Sequence, residues 1–201
     1  TLMPRSYRMP FWDDAHLRAE PFWDALSRAG KRCAIIDVPK SPLSRSINGL
    51  QLADWRVHGR DHATCSTPPA LAAEALSRLG NDRSDRIDQG RALCQQGYAP
   101  NVDYQAFAAL LRESVADKLA LCQDVLQQEN WDLFTVVFKE SHCAGHKLWH
   151  LQDPSHHQHP PRPPAEDADA MKSVYRALDD AVGRLLAHAA EDTTVVVFSD
   201  L

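Results

Sequence analysis

The sequence lacks any long apolar segment, since no run approaches the roughly 20 residues that a bilayer-spanning helix needs. Residues 1–10 also lack the apolar stretch of a secretory signal. No cluster of lysine or arginine dominates the chain, whose net charge is -5, and this argues against binding nucleic acid through its phosphates. We therefore expect neither a membrane protein nor a protein that binds nucleic-acid duplexes.

Paired cysteines are missing as well. The chain has five cysteines, an odd number, and they are widely spaced without a CxxC pair. This pattern is typical of thiols in a reducing compartment, not of a disulfide framework. We therefore expect a cytoplasmic protein. A signal removed from a longer precursor stays an open alternative, because the chain starts at Thr1.

Three familiar catalytic motifs are absent too: the GxSxG elbow, the glycine-rich phosphate loop and the HExxH zinc motif. Ser141 directly precedes His142, but adjacent side chains rarely face each other as a nucleophile and its base. Cys143 lies near His146, yet nothing in the sequence marks it as an activated thiolate. The common nucleophile arrangements therefore do not explain this chain.

The chain does contain an alternation of amphipathic helices and short apolar strands. We predict helices over 21–30, 68–79, 103–128 and 167–190, and strands over 32–38, 50–55, 133–138 and 193–198. Helices long enough to cross between strands favour a parallel sheet. We therefore predict one α/β domain over residues 1–201, a three-layer sandwich with a largely parallel sheet flanked by helices.

Ionisable residues follow three of these strands. The first strand ends at Asp37, the third continues into Glu140, Ser141 and His142, and the last ends at Asp200. Ligands of parallel sheets bind outside the carboxyl ends of the strands. Carboxylate and imidazole groups suit zinc, manganese or magnesium, although a single aspartate after a strand is more often a turn or helix cap.

The segment 140–159 (ESHCAGHKLWHLQDPSHHQH) holds six of the ten histidines. His142, His146 and His150 are spaced by four residues, so on a helix they would share one side and two of them could bind one ion. Two alternatives stay open from spacing alone. The segment is a polar loop with solvated histidines, or a helix that packs through Leu148 and Trp149.

These segments resemble the type I phosphodiesterase and nucleotide pyrophosphatase branch of the alkaline phosphatase superfamily. That family has an Asp-x-x-Gly-His segment after one strand and a Ser-Asp-His-Gly segment after a later one. Residues 142–146 (HCAGH) match the first in spacing, with His142 in place of the aspartate, and Ser199 and Asp200 match the start of the second. LDDAVGRLL, DVPKSP and INGLQLADW also look similar, so the resemblance covers most of the chain.

The resemblance implies a metal-dependent hydrolase of phosphate mono- or diesters that acts on a small-molecule phosphoester. Two divalent ions, zinc or alternatively manganese, would assist the reaction. Carried over residue by residue, His142 and His146 would bind one ion and Asp200 the other. Glu140 would be a further ligand or a partner that orients an imidazole. The implied fold is an alkaline phosphatase-like sandwich that is incomplete in this chain.

Two departures from the family pattern shape the remaining expectations. The family's nucleophilic hydroxyl follows a strand near its amino end, and nothing before residue 20 predicts such a strand. Leu201 stands where a histidine would follow the aspartate. We therefore expect a fragment of a larger catalytic domain that lacks the nucleophile and is inactive alone. The alternatives are a catalytically silent metal-binding or interaction domain of the same fold, or a sulfatase-like relative.

Overall fold

The computed structural model describes residues 19–57, 63–81, 103–161 and 167–199. Within them, five α-helices flank a four-stranded sheet, and a short 3-10 turn at Asp167–Asp169 precedes the last helix. The helices are α1 (Phe22–Arg28), α2 (Pro69–Leu79), α3 (Tyr104–Gln128), α4 (Glu140–Gln152) and α5 (Ala170–Leu186). The strands are β1 (Cys33–Ile36), β2 (Gly49–Ala53), β3 (Cys65–Thr67) and β4 (Leu133–Val136). The α/β class is confirmed.

The sheet has the order β3-β2-β1-β4. β1 pairs in parallel with β2 on one side and with β4 on the other, so that Cys33 lies opposite both Gly49 and Leu133. β3 pairs antiparallel with β2 and makes the sheet mixed. The parallel core was predicted from the helical crossovers. β3 was not predicted, because a run of three residues carries no periodicity.

Both faces of the sheet are covered by helices. All four residues of β1 are buried, and they alternate between two apolar clusters. Cys33 and Ile35 pack with Trp23 of α1, whereas Ala34 and Ile36 face α2 and α3. A strand that is apolar on both faces is typical of a parallel sheet between helix layers. α4 and α5 then pack against the far side of α3, which places α3 at the centre of the domain.

Local sequence explains where the helices begin and end. The carboxylate of Asp103 accepts a hydrogen bond of 2.8 Å from the amide of Ala106 and caps the start of α3. Pro69 occupies the first turn of α2, where its missing amide donor costs nothing. Gly80 ends that helix with a φ of 74°, which only glycine adopts without strain. The four predicted helices are therefore confirmed with shifted ends.

The segment 193–198 does not form the predicted strand. Val196, Val197 and Phe198 are 73–80% exposed, and no described strand pairs with them. β-branched residues favour a strand through packing and cross-strand contacts, so their sequence preference alone does not make one. The histidine-rich segment, for which loop and helix stayed open, is helical over Glu140–Gln152.

Further predictions concern membrane spans, disulfides, cellular location and the extent of the domain. None of the described helices combines the length and apolar composition that crossing a bilayer requires. No disulfide joins the cysteines of the described ranges. The cytoplasmic location stays a prediction, and so does the assignment of residues 1–201 to one domain that is part of a larger catalytic domain.

Gly49 provides a test of the parallel β1–β2 pairing. Its φ is +145°, and an added Cβ would lie 2.1 Å from the carbonyl oxygen of Cys33 and 2.9 Å from the Trp131 ring. Gly49→Ala should therefore lower the free energy of unfolding by about 2–4 kcal/mol, measured by urea unfolding.

Gly183→Ala is the matched control, since a Cβ there meets nothing within 4 Å and the residue lies inside α5. It should stabilise the protein by about 0.5–1 kcal/mol. Equal stability of the two variants would contradict the described packing of β1 on β2.

Candidate functional site

The carboxyl ends of the three parallel strands meet at one edge of the sheet. Asp37 directly follows β1, and the amide of Val137, just after β4, donates a 3.1 Å hydrogen bond to Ile36. α4 begins three residues later, at Glu140. The sequence placed its candidate residues at this edge, and the described ones, Asp37, Glu140 and His142, follow the strand ends as expected.

His142 and His146 lie side by side on the first two turns of α4. Their ring centroids are 4.4 Å apart at an interplanar angle of 77°. His142 is half-buried and His146 is exposed. The prediction that these two side chains share one side of a helix is confirmed.

The imidazole pair fits part of a zinc site. Imidazole nitrogen is a preferred zinc ligand, and two histidines one helical turn apart can bind one ion. Within the described ranges no group of three His, Cys, Asp or Glu side chains is arranged to hold a metal. Asp200, the other predicted ligand, lies outside the described residues. The described chain thus presents two neighbouring imidazoles at this edge.

His150 does not extend this pair. It is buried. Its ring centroid lies 5.3 Å from the ring centroid of Tyr104 and 6.2 Å from that of the His156 ring. Its backbone oxygen contacts the ring of His159 at 2.8 Å. Burial, together with the nearby His156, Lys147 and His159, lowers the pKa of His150 to about 4. The expected third histidine of the row is therefore a neutral core residue.

Glu140 lies on another side of α4. Being two residues before His142, it is rotated from it by about 200° around the helix. Its side chain is fully buried, and Oε1 accepts a 2.6 Å hydrogen bond from the hydroxyl of Ser114 in α3. Oε2 is buried without a hydrogen-bond partner among the described residues. The structure thus brings Glu140 to α3, behind the imidazoles.

Lys118 is the cation at the centre of this edge. It is fully buried, and its ammonium forms an ion pair of 2.9 Å with Asp37, which is also fully buried. It donates further to the carbonyl oxygens of Val137 at 2.8 Å and Arg56 at 3.2 Å. Burial opposes the charge, but Asp37 and Glu140 outweigh it and raise the pKa of Lys118 above its ordinary value. The ammonium therefore stays charged inside the protein.

Asp37 is shared between two strand ends. Its φ is 55°, a left-handed conformation that aspartate tolerates better than most residues. Oδ1 accepts from the amide of Trp55 and Oδ2 from the amide of Arg56, each at 3.0 Å. Because those amides follow β2, this carboxylate joins the ends of β1 and β2. Asp37 thus supports the edge as a structural anion.

Sequence reasoning missed Ser114 and Lys118. A signal was present, because Lys118 interrupts an apolar row of α3 formed by Leu111, Val115, Cys122 and Val125. A lysine on a buried helix face requires a buried partner. Its partner Asp37 lies 81 positions away in the chain, so only the fold identifies it.

Comparison with known proteins identifies one family. The family model described as type I phosphodiesterase / nucleotide pyrophosphatase matches residues 3–201. The match includes residues 142–146 and Ser199–Asp200, which carry the resemblance seen in the sequence. Searches of curated proteins and of solved structures found no match.

The buried His150 predicts a specific acid sensitivity. Between pH 6.5 and about pH 4 the unfolded chain protonates this imidazole and the folded chain does not, so stability falls as the pH drops through that window. His150→Phe removes the titration. Between pH 7 and pH 4 the unmodified protein should lose about 3 kcal/mol more unfolding free energy than this variant, measured by urea unfolding.

His157→Gln serves as the control, since His157 is exposed and its removal should leave the pH dependence unchanged. An identical pH dependence in the unmodified protein and the His150→Phe variant would contradict the neutral, buried state of His150.

Proposed function

The chain belongs to the type I phosphodiesterase / nucleotide pyrophosphatase family, and we propose that it contributes a metal-binding site to the hydrolysis of phosphate mono- or diesters. The family comprises phosphodiesterase and pyrophosphatase-type hydrolases of the alkaline phosphatase superfamily. It acts on small-molecule phosphoesters and is generally metal-dependent.

The observation that supports the proposal is the imidazole pair of His142 and His146 at the carboxyl edge of the sheet. We assign both to one divalent ion and Asp200 to a second. Zinc suits the imidazoles best, and manganese is the alternative. His142 stands where the family motif has aspartate, so the first ion would be bound by two neutral nitrogen donors in place of one nitrogen and one carboxylate oxygen.

Glu140 was expected as a ligand or as a partner that supports the imidazoles. Its hydrogen bond to Ser114 and its rotation away from His142 favour the supporting role. A buried carboxylate also adds negative charge behind the histidines, which favours a cation bound in front of them. We therefore propose His142, His146 and Asp200 as metal ligands. Glu140 is proposed to orient α4, the helix that carries the two histidines.

The chain's own residues contribute position and charge to the reaction. α4 holds two imidazoles on one face at the edge where substrates of parallel sheets bind. The buried carboxylates of Asp37 and Glu140 interact with the buried ammonium of Lys118, and these charges hold the residues at this edge in place. When bound, a divalent ion supplies Lewis acidity to a phosphoryl oxygen. Fixed donors of this kind need no reorganisation when charge develops on the substrate.

The location of the nucleophile stays a prediction. Residues 1–18, in which the sequence predicts no strand to carry it, lie outside the described residues. A catalytically silent metal-binding domain shares the proposed site but not the reaction, so an activity measurement separates it from the enzyme. Sulfate esters are the remaining alternative substrate class.

His146→Ala tests the metal assignment. Because His146 is exposed, its removal should leave the fold intact while deleting one ligand. The full-length protein should bind about two equivalents of zinc or manganese, and the full-length variant should bind fewer, about one. The measurement is isothermal titration with metal analysis of the dialysed protein.

His157→Ala, the removal of an exposed histidine beyond the end of α4, is the matched control and should keep the full stoichiometry. Unchanged metal content in the His146→Ala protein would refute its assignment as a ligand.

Metal-dependent hydrolysis tests the reaction class. The protein with its complete catalytic domain should hydrolyse a generic aryl phosphodiester or monoester, lose this activity in excess chelator and regain it when zinc is returned. An aryl sulfate assayed in parallel separates the sulfatase alternative. Full activity in excess chelator would contradict the proposal, and metal binding without any hydrolysis would favour the catalytically silent domain.

A further inference from the structure

Two residues of α3, one helical turn apart, contact the connection from β4 and the first residue of α4. Ser114 donates a 2.6 Å hydrogen bond to Oε1 of Glu140, the first residue of α4. Lys118, four residues later, donates a 2.8 Å hydrogen bond to the carbonyl oxygen of Val137. Residues four apart share one face of a helix. A single face of α3 therefore holds both the connection from β4 and the first turn of α4.

α4 depends on these contacts because no side chain caps its first turn. Its N-cap residue, Lys139, has a helical backbone conformation and makes no capping hydrogen bond through its side chain. A helix start without a cap leaves amide groups unsatisfied and tends to fray. Here the position of the first turn is instead fixed from α3.

The Lys118 ammonium is itself fixed in direction. It contacts Asp37, the carbonyl oxygen of Arg56 and that of Val137, within 2.8 to 3.2 Å. These groups follow β1, β2 and β4, which are the three parallel strands. An ammonium has three N–H donors, and each finds one acceptor here. The connection between β4 and α4 is thereby tied to the ends of both neighbouring strands.

We propose that Ser114 and Lys118 are positioning residues for the His142 and His146 pair. This inference rests on the proposed function, in which that pair binds a metal ion. Both imidazoles lie within two turns of the contact points, so a shift or rotation of the first turn of α4 displaces both rings together. Zinc–nitrogen bonds are about 2.0–2.1 Å long and tolerate misplacement of only about 0.5 Å.

Neither residue is proposed as a ligand. Lys118 is a cation and repels a metal ion, and Ser114 is directed at Glu140. Their effect is to hold the backbone that carries the ligands. The carboxylate of Glu140 transmits the contact from Ser114, which gives this residue its role on the side of α4 away from the imidazoles.

Ser114→Ala is the most direct test, because it removes one hydroxyl and no charge. We expect zinc to bind with unchanged stoichiometry but about tenfold more weakly, as in other proteins that lose a group supporting a metal ligand. Affinity is measured by competition with a chromogenic chelator. The visible absorption of the cobalt-loaded protein should also change, because it reports coordination geometry and not stability.

Ser173→Ala is the matched control. The Ser173 hydroxyl also joins two helices, accepting a 2.7 Å hydrogen bond from Arg112 of α3, but it lies on α5 and donates to the carbonyl oxygen of Ala170 in that same helix. Its zinc affinity and cobalt spectrum should equal those of the unmodified protein.

The double variant Asp37→Asn with Lys118→Met tests the second contact. It removes one charge of each sign, so the net charge of the buried groups is unchanged. We expect a loss of zinc affinity of about tenfold or more in the folded protein, checked by circular dichroism. If this variant does not fold, the comparison of Ser114→Ala with Ser173→Ala decides.

The outcomes separate this inference from the proposed function. If the unmodified protein binds neither zinc nor cobalt, the metal assignment fails and the inference falls with it. If the unmodified protein binds zinc and Ser114→Ala matches it in affinity and cobalt spectrum, the metal assignment stands and the positioning role is overturned. Loss of one full equivalent of zinc in Ser114→Ala would likewise contradict a positioning role.

Discussion

The buried ion pair between Lys118 and Asp37 is the interaction on which the carboxyl edge of the sheet depends. One side chain from α3 joins the residues that follow β1, β2 and β4. Removing one partner of such a pair costs about 3–5 kcal/mol, whereas replacing both with apolar groups is often tolerated. The pair therefore contributes more to a defined arrangement of strand ends than to net stability. A functional edge requires such an arrangement.

The candidate site follows from that arrangement. Once the end of β4 is fixed, the direction of α4 is fixed, and two imidazoles meet on one side of it. Glu140 and the two histidines lie on opposite sides of one helix. The family match supports a metal-binding role for this imidazole pair, because phosphoester hydrolases of this superfamily are generally metal-dependent.

Much of this fold and part of the site could be predicted from the sequence. Helical periodicity and short apolar runs identified the crossovers and β1, β2 and β4, since those signals are local. The spacing of His142 and His146 predicted their contact. The same spacing failed at His150, because a position eight residues further along an α-helix is rotated by about 80° from the first, and His150 is buried in the core. The partners of Lys118 could not be predicted, since they come from distant parts of the chain.

The segment 193–198 shows that amino-acid composition alone does not predict a strand. Its β-branched residues have strong strand preference, yet they are exposed in the described structure because no described strand pairs with them. Asp200 follows that segment and lies outside the described residues.

The proposed binding of one divalent ion by His142 and His146 together can be observed in a crystal. The most direct measurement is X-ray diffraction from zinc-soaked crystals, with an anomalous difference map at the zinc absorption edge. We expect a peak about 2 Å from one nitrogen of each imidazole. A zinc peak elsewhere, with none between these two rings, would contradict it.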